Sequence, residues 1–183
     1  MRYTVQITGD ELIELDEVRQ HIKALNDDDE DLLIITPLIS AAREYCENLT
    51  GCAFCRQTVT AYPEWNDTDV HLPRTPIIAI ETVKIYHADG TVDTLTDADY
   101  SIDLHDGRFV LNKVCDNPRT INPIEVRYEA GCTSLPYAVR QAMLMLIGHW
   151  YQHRETIETG AVTSVEVAAT TAAILKQYRM WWF

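Results

Sequence analysis

Between Asp10 and Leu25 the apolar residues Leu15, Val18, Ile22 and Leu25 recur three and four apart among acidic neighbours, the spacing of a short amphipathic helix. A second helix is predicted from about Asp28 to Leu49, where Leu32, Ile35, Ile39, Ala42, Tyr45, Cys46 and Leu49 form one broad stripe and Thr50-Gly51 closes it. The acidic run Asp27-Asp28-Asp29-Glu30-Asp31 marks its start, because the unpaired N–H groups of a first turn carry partial positive charge. Pro37 removes one intrahelical hydrogen bond, so this helix is expected either to kink or to begin near Thr36.

From Arg56 to Tyr128 the period shortens to about two, the alternation of half-buried strands. Gln57–Tyr62, Val70–Pro73, Ile80–Tyr86 and Ile124–Tyr128 read as strands. Asp89-Gly90 and Asp106-Gly107 supply the positive φ of tight turns and predict hairpins returning through Thr91–Leu95 and Arg108–Leu111. Ala130-Gly131 ends this stretch. Pro136 then suits the first turn of a third helix, Tyr137 to about Thr156, which is apolar nearly all round at its middle; a last helix is expected from Ala168 to Met180. The resulting expectation is an α+β chain with a mainly helical core of about four helices and a small antiparallel β-sheet inserted between the second and third long helices. The 183 residues suit a single domain, with a helical core over 10–52 and 134–180 and a β insertion over 55–130.

Charge narrows the function. The net charge is −13, with 12 acids against 4 bases in residues 1–50, 13 against 7 in 51–130, and 3 against 4 in 131–183. Such a chain would be repelled by a nucleic-acid backbone, which argues against a sequence-specific DNA or RNA binder but suits a surface past which DNA slides without adhering. The opening Met1–Gln6 lacks a signal-peptide layout and no apolar run is long enough to span a bilayer, so a soluble intracellular protein is expected. Five cysteines, an odd number in a chain able to bury its own core, predict reduced thiols. Cys52-Ala53-Phe54-Cys55 is a CxxC without the second CxxC of a zinc ribbon or the βαβ context of a redox site, and buried apolar cysteines are the better reading.

His149 and His153 lie four apart on a predicted helix and could reach one metal ion. The intervening Trp150-Tyr151-Gln152 lacks the glutamate of a zinc-protease motif, and no third ligand is evident. Glycine-rich phosphate loops and nucleophile elbows are absent from the sequence. No catalytic, cofactor-binding or metal-binding residue is therefore assigned, and no cofactor is expected.

In order and spacing, several segments together resemble the phage head–tail connector (adaptor) family. They are Asp28–Leu33, Ile39–Tyr45 followed by Leu49-Thr50-Gly51, Gln57-Thr58, Leu72-Pro73 with Pro76-Ile77, Ile80, Val83 and Tyr86 before Asp89-Gly90, Val126–Gly131, Pro136, Ala142, and Leu146–Tyr151 with Arg154. Cys52–Cys55 and the long segment Thr156–Ala169 depart from the family pattern. The resemblance implies a non-catalytic structural protein of a tailed phage or prophage, located in the virion neck and in the host cytoplasm during assembly. It implies a ring, commonly twelve-fold, beneath the portal protein that extends the DNA channel to the tail. Implied partners are the portal, other neck or tail-completion proteins and further copies of itself, with DNA only passing through and no membrane. Leu175, Tyr178, Arg179, Met180, Trp181, Trp182 and Phe183 are the candidate portal or subunit-interface residues, since exposed tryptophan is costly and enriched at binding hot spots. The alternatives are another neck position, such as a head completion or tail terminator protein, and more remotely a metal-dependent enzyme built on His149, His153 and a carboxylate.

Overall fold

A computed structural model describes residues 1–23, 29–64, 69–113, 116–153 and 161–180. The chain divides into two compact units, residues 1–10 with 51–133 and residues 11–50 with 134–180.

The first unit is built from two antiparallel sheets. Strands β1 (Arg2–Ile7), β2 (Gln57–Tyr62), β8 (Ile124–Ala130), β4 (Ile77–Tyr86) and β5 (Val92–Thr94) form a five-stranded sheet in the order β1-β2-β8-β4-β5. Strands β3 (Asp69–His71), β7 (Arg108–Leu111) and β6 (Tyr100–Ile102) form a second in the order β3-β7-β6. Central β8 shows why the sequence folds this way: Ile124, Val126, Tyr128 and Ala130 are buried while Glu125, Arg127 and Glu129 between them are not, so one face is sealed. Its register sets Tyr128 opposite Val59 and Val126 opposite Ala61, and two register shifts along β4 bend that strand against it. Val83, Ile85, Leu72 and Phe109 complete the apolar core, and Tyr100 stacks on Phe109 with ring centroids 5.5 Å apart. Tyr128 buries its phenol but keeps its hydroxyl satisfied by donating to the Pro73 carbonyl. Gly131, at φ +144°, passes so close to the chain that a Cβ there would lie 2.6 Å from the Cys55 carbonyl oxygen.

The CxxC segment is buried as well, and Ala53 joins this core. Cys52, Ala53, Phe54 and Cys55 are all buried, the Ala53 N–H donates to Thr75 O at 2.8 Å, and Cys132 Sγ lies 3.2 Å from the Phe54 carbonyl oxygen.

The second unit holds four helices: α1 (Leu15–Ile22), α2 (Asp29–Thr50), α3 (Tyr137–Gln152) and α4 (Ala161–Leu175), the last followed by a 3-10 turn, Lys176–Tyr178. Helix α3 packs against α1, α2 and α4. Val139, Ala142, Met143, Leu144, Leu146 and Ile147 are buried on it, as are Ile35, Ile39, Ala42 and Cys46 on α2, Val18 on α1 and Leu175 at the end of α4. Burial pushes the Cys46 thiol up to about 12. Pro37 neither starts nor ends α2; it lies exposed inside a continuous helix.

The expected architecture needs correction. The chain is not a mainly helical core carrying a small inserted sheet: eight strands in two sheets, among the described residues, build a unit with a hydrophobic core of its own. The sheet is also not a simple insertion, because β1 precedes every helix and pairs with β2 from Arg2↔Tyr62 to Ile7↔Gln57. Arg2–Ile7 carries no strand signature in the sequence because an edge strand exposed over nearly its whole length lacks the apolar alternation that marks a buried face. Helix α4 likewise begins at Ala161, ahead of the expected Ala168.

Candidate functional site

Buried charge sets the frame of the helical unit. Arg43, on α2, is 7 % exposed and bonds two carboxylates: its Nε donates to both Glu11 oxygens at 3.0 Å, and its Nη1 donates to Glu47 Oε2 at 2.9 Å. Ser40 Oγ adds a bond to Glu11 at 2.9 Å. Arg140, on α3, donates to Glu17 and, at 3.2 Å, to the Leu12 carbonyl oxygen. The segment leading into α1 is thus tied to α2 by one guanidinium, and α1 with its leading segment to α3 by another. Charge-assisted bonds of this kind fix geometry more than they add net stability, because the desolvation cost offsets much of the attraction. Only the i,i+4 spacing of Arg43 and Glu47 hinted at this in the sequence; Glu11 comes from a distant segment.

Two features of this unit are suited to contact. The first is α2 itself, which carries no charged residue from Leu32 to Ala42. Ile35, Ile39 and Ala42 serve the core, while Leu33 is 78 % exposed and Thr36, Pro37 and Ala41 are exposed with it. The helix therefore has a second, uncharged side that the described residues leave exposed.

The second is the C-terminal strap. Of the residues singled out there, Leu175 is fully buried and anchors the end of α4 in the core. Tyr178 and Met180 are half-buried and Arg179 is exposed, beside exposed Lys176 and Gln177. The Met180 N–H donates to the Thr50 carbonyl at 2.9 Å, which pins the strap to the last residue of α2. Thr50 is itself held by its hydroxyl, which donates to Cys46 O at 2.8 Å. Trp181, Trp182 and Phe183 lie outside the described residues. The strap presents Lys176 and Arg179, two cations on the exposed part of an otherwise acidic chain.

His149 and His153 do come together, with ring centroids 4.3 Å apart. They line a cavity of about 260 Å³ with His21, Met145, Gly148, Gln152 and Val167. His21, on α1, is a neighbour that spacing could not reveal. His153 Nδ1 sits 2.8 Å from the His149 carbonyl oxygen and must donate to it, since a carbonyl only accepts. Desolvation, reinforced by His153, holds His149 below the usual imidazole range. Among the described residues no three His, Cys, Asp or Glu side chains lie close enough to share a metal ion. No helix among the described residues is long and apolar enough to cross a membrane.

Comparison with known proteins gives these surfaces a context. A family model described as head completion protein matches residues 11–181. No curated protein matches the chain in sequence. Solved structures do match over nearly the full length. A chain from the virion of a native gene transfer agent (GTA) particle is 17 % identical with a TM-score of 0.72, covering 98 % of this chain and 96 % of that one. A chain from the neck of the empty GTA particle, computed with C6 symmetry, is 18 % identical with a TM-score of 0.73 over the same coverage of 98 % and 96 %. A chain from the neck of the native particle, computed with C12 symmetry, is 18 % identical with a TM-score of 0.69, again covering 98 % and 96 %. At such identities the likeness establishes a shared fold. The resemblance to head–tail neck proteins read from the sequence is borne out, and the family description is the neck position named there as the first alternative.

Proposed function

The chain belongs to the head completion protein family, structural proteins of the head–tail neck, and on that premise we propose that it acts as one subunit of a ring fixed to the portal of a tailed phage or phage-derived particle. The observation that carries this reading is the family match across residues 11–181, nearly the whole chain. The shared fold with chains from particle necks solved with six-fold and twelve-fold symmetry supports the ring.

Physical chemistry supports the details. A ring is built from heterologous contacts that close at a fixed rotation per subunit, so each copy needs two different lateral surfaces. A net charge of −13 per subunit suits a channel wall that DNA crosses without adhesion. The cationic, half-buried strap Lys176–Met180, pinned to Thr50, suits docking on an acidic or apolar rim of the portal. The role is structural and without catalysis, exercised in the virion neck after assembly in the host cytoplasm, and both units act together as one connector domain.

The test is to mix the purified chain with the portal oligomer encoded beside it and to follow binding by sedimentation and negative-stain imaging. A ring of added density at the portal's narrow end is expected. Removal of residues 176–183 should abolish attachment while lowering the thermal midpoint only slightly, since the Met180–Thr50 bond is lost but Leu175 stays in the core, and an intact ring on the portal after that truncation would refute the strap's role.

A further inference from the structure

We infer that the exposed apolar side of α2, centred on Leu33, Pro37 and Ala41, is the surface by which one copy of this chain meets the next copy around the ring. This deepens the ring reading and rests on it.

The three residues are spaced four apart and so lie on one side of the helix, with half-buried Ile34 and Leu38 next to them. A helix that is apolar on two sides is expected to be covered on both, and among the described residues the Ile35–Ile39–Ala42 side is the covered one. Leu33 at 78 % exposure is the most exposed of the large aliphatic side chains among the described residues. Single exposed leucines need no explanation; an uncharged helical side from Leu32 to Ala42 in a chain with 28 acids does.

Charge selects the occupant. Copies bearing −13 each repel one another, so a contact between like copies is least opposed where the surface carries no acid, as this side of α2 does from Leu33 to Ala41. DNA is a poor occupant, because phosphate recognition requires cations and this surface offers none. The strap at Lys176–Met180 is the better candidate for the portal, which leaves α2 for lateral contact. The contact is heterologous: α2 of one subunit meets a different surface of its neighbour, as ring closure demands.

The experiment compares the full chain with a double variant, Leu33→Glu with Ala41→Glu, and with a charge-matched control, Val92→Glu with Thr120→Glu, on the exposed surface of the sheet unit. Each is assayed by native mass spectrometry and by imaging, alone and on the purified portal oligomer. All substituted positions are exposed, so the thermal midpoint should hold in every case. The expected result is loss of the ring species for the α2 variant and a normal ring for the control. A normal ring from the α2 variant overturns the inference and leaves the ring reading standing. A ring that forms but no longer attaches to the portal assigns this side to the portal and also overturns it. If the unaltered chain forms no ring even on the portal, the ring reading fails and the inference falls with it.

Discussion

The sheet unit and the helical unit solve the same stability problem in opposite ways. In the sheet unit, alternation along β8 and its neighbours seals Val59, Val83, Ile85, Phe109, Ile124, Val126 and Tyr128 into an apolar core, with buried Arg74 donating to the Cys52 carbonyl oxygen. Its ion pairs, such as Arg108 with Asp69 and Arg127 with Glu81, lie outside on exposed side chains. The helical unit brings charge inside, with Arg43 and Glu47 at 9 % and 2 % side-chain exposure, and leaves Leu33 outside. The sheet unit exposes apolar side chains too, Leu104 at 44 % and Ile121 at 71 %, so the difference lies in what each unit buries: the helical unit takes a whole ion pair inside, whereas pairs such as Arg108–Asp69 stay at the surface of the sheets. On the reading proposed above, assembly rests on the helices, through α2 and the strap.

The comparison can be broken hardest at α3. Leu146→Asp places a carboxylate at a position 3 % exposed, with no cation partner designed for it, and should unfold the helical unit outright. Loss of helical circular dichroism with retained strand signal is the expected reading; an unchanged thermal midpoint would mean that α3 is not the core helix described here. Next, Glu47→Ala removes one of the two carboxylates that Arg43 bonds, leaving Glu11, and should cost about 1–3 kcal/mol, whereas Arg43→Met combined with Glu47→Leu should recover part of that loss. Urea titration of the two variants distinguishes a framework that merely avoids unpaired charge from one that depends on the ion pair. On the sheet side, Gly131→Ala forces a Cβ against the Cys55 carbonyl and should cost about 1–3 kcal/mol, read as a lower denaturation midpoint.

Acid should act on the sheet unit with a smaller, graded effect. Bonds donated by Arg108 to Asp69, by Lys113 to Asp93, by Thr96 to Asp99, and by the Asp106 and His105 amides to Asp103 hold these carboxyls below the ordinary aspartate range. The Arg56 guanidinium does the same for Glu129. Because their folded pKa values are depressed, the unfolded chain takes up protons first as pH falls. The stability they contribute is fully present above the unfolded values near pH 4 and is lost as pH drops through the folded ones. A thermal midpoint that is flat from pH 7 to 5 and declines below pH 4 is expected. A rise on acidification would contradict these assignments.

Much of the secondary structure was legible because periodicity reports burial. The stripe Leu32–Ile35–Ile39–Ala42–Cys46, the alternation of Ile124–Tyr128 and the glycines of the Asp89-Gly90 and Asp106-Gly107 turns each encode local geometry in local residues. Arg2–Ile7 encodes its strand through pairing with Gln57–Tyr62, far along the chain, and carries no buried alternation to betray it. That one omission made the sheet look like a small insertion. The site was less legible for the same reason. Glu11 meets Arg43, and His21 meets the His149–His153 pair, only through folding. The buried side of α2 was read directly from spacing, while the exposure of Leu33 required knowing which of two apolar sides the core would take.

The central claim is that the helices carry the assembly surfaces, and hydrogen exchange read by mass spectrometry tests it most directly. The full chain is compared free and assembled on the portal oligomer. Slowed exchange concentrated in residues 32–42 and 175–180, with β2 and β8 unchanged, is the predicted result. Slowed exchange confined to the strands, with α2 and the strap exchanging as in the free chain, would contradict it.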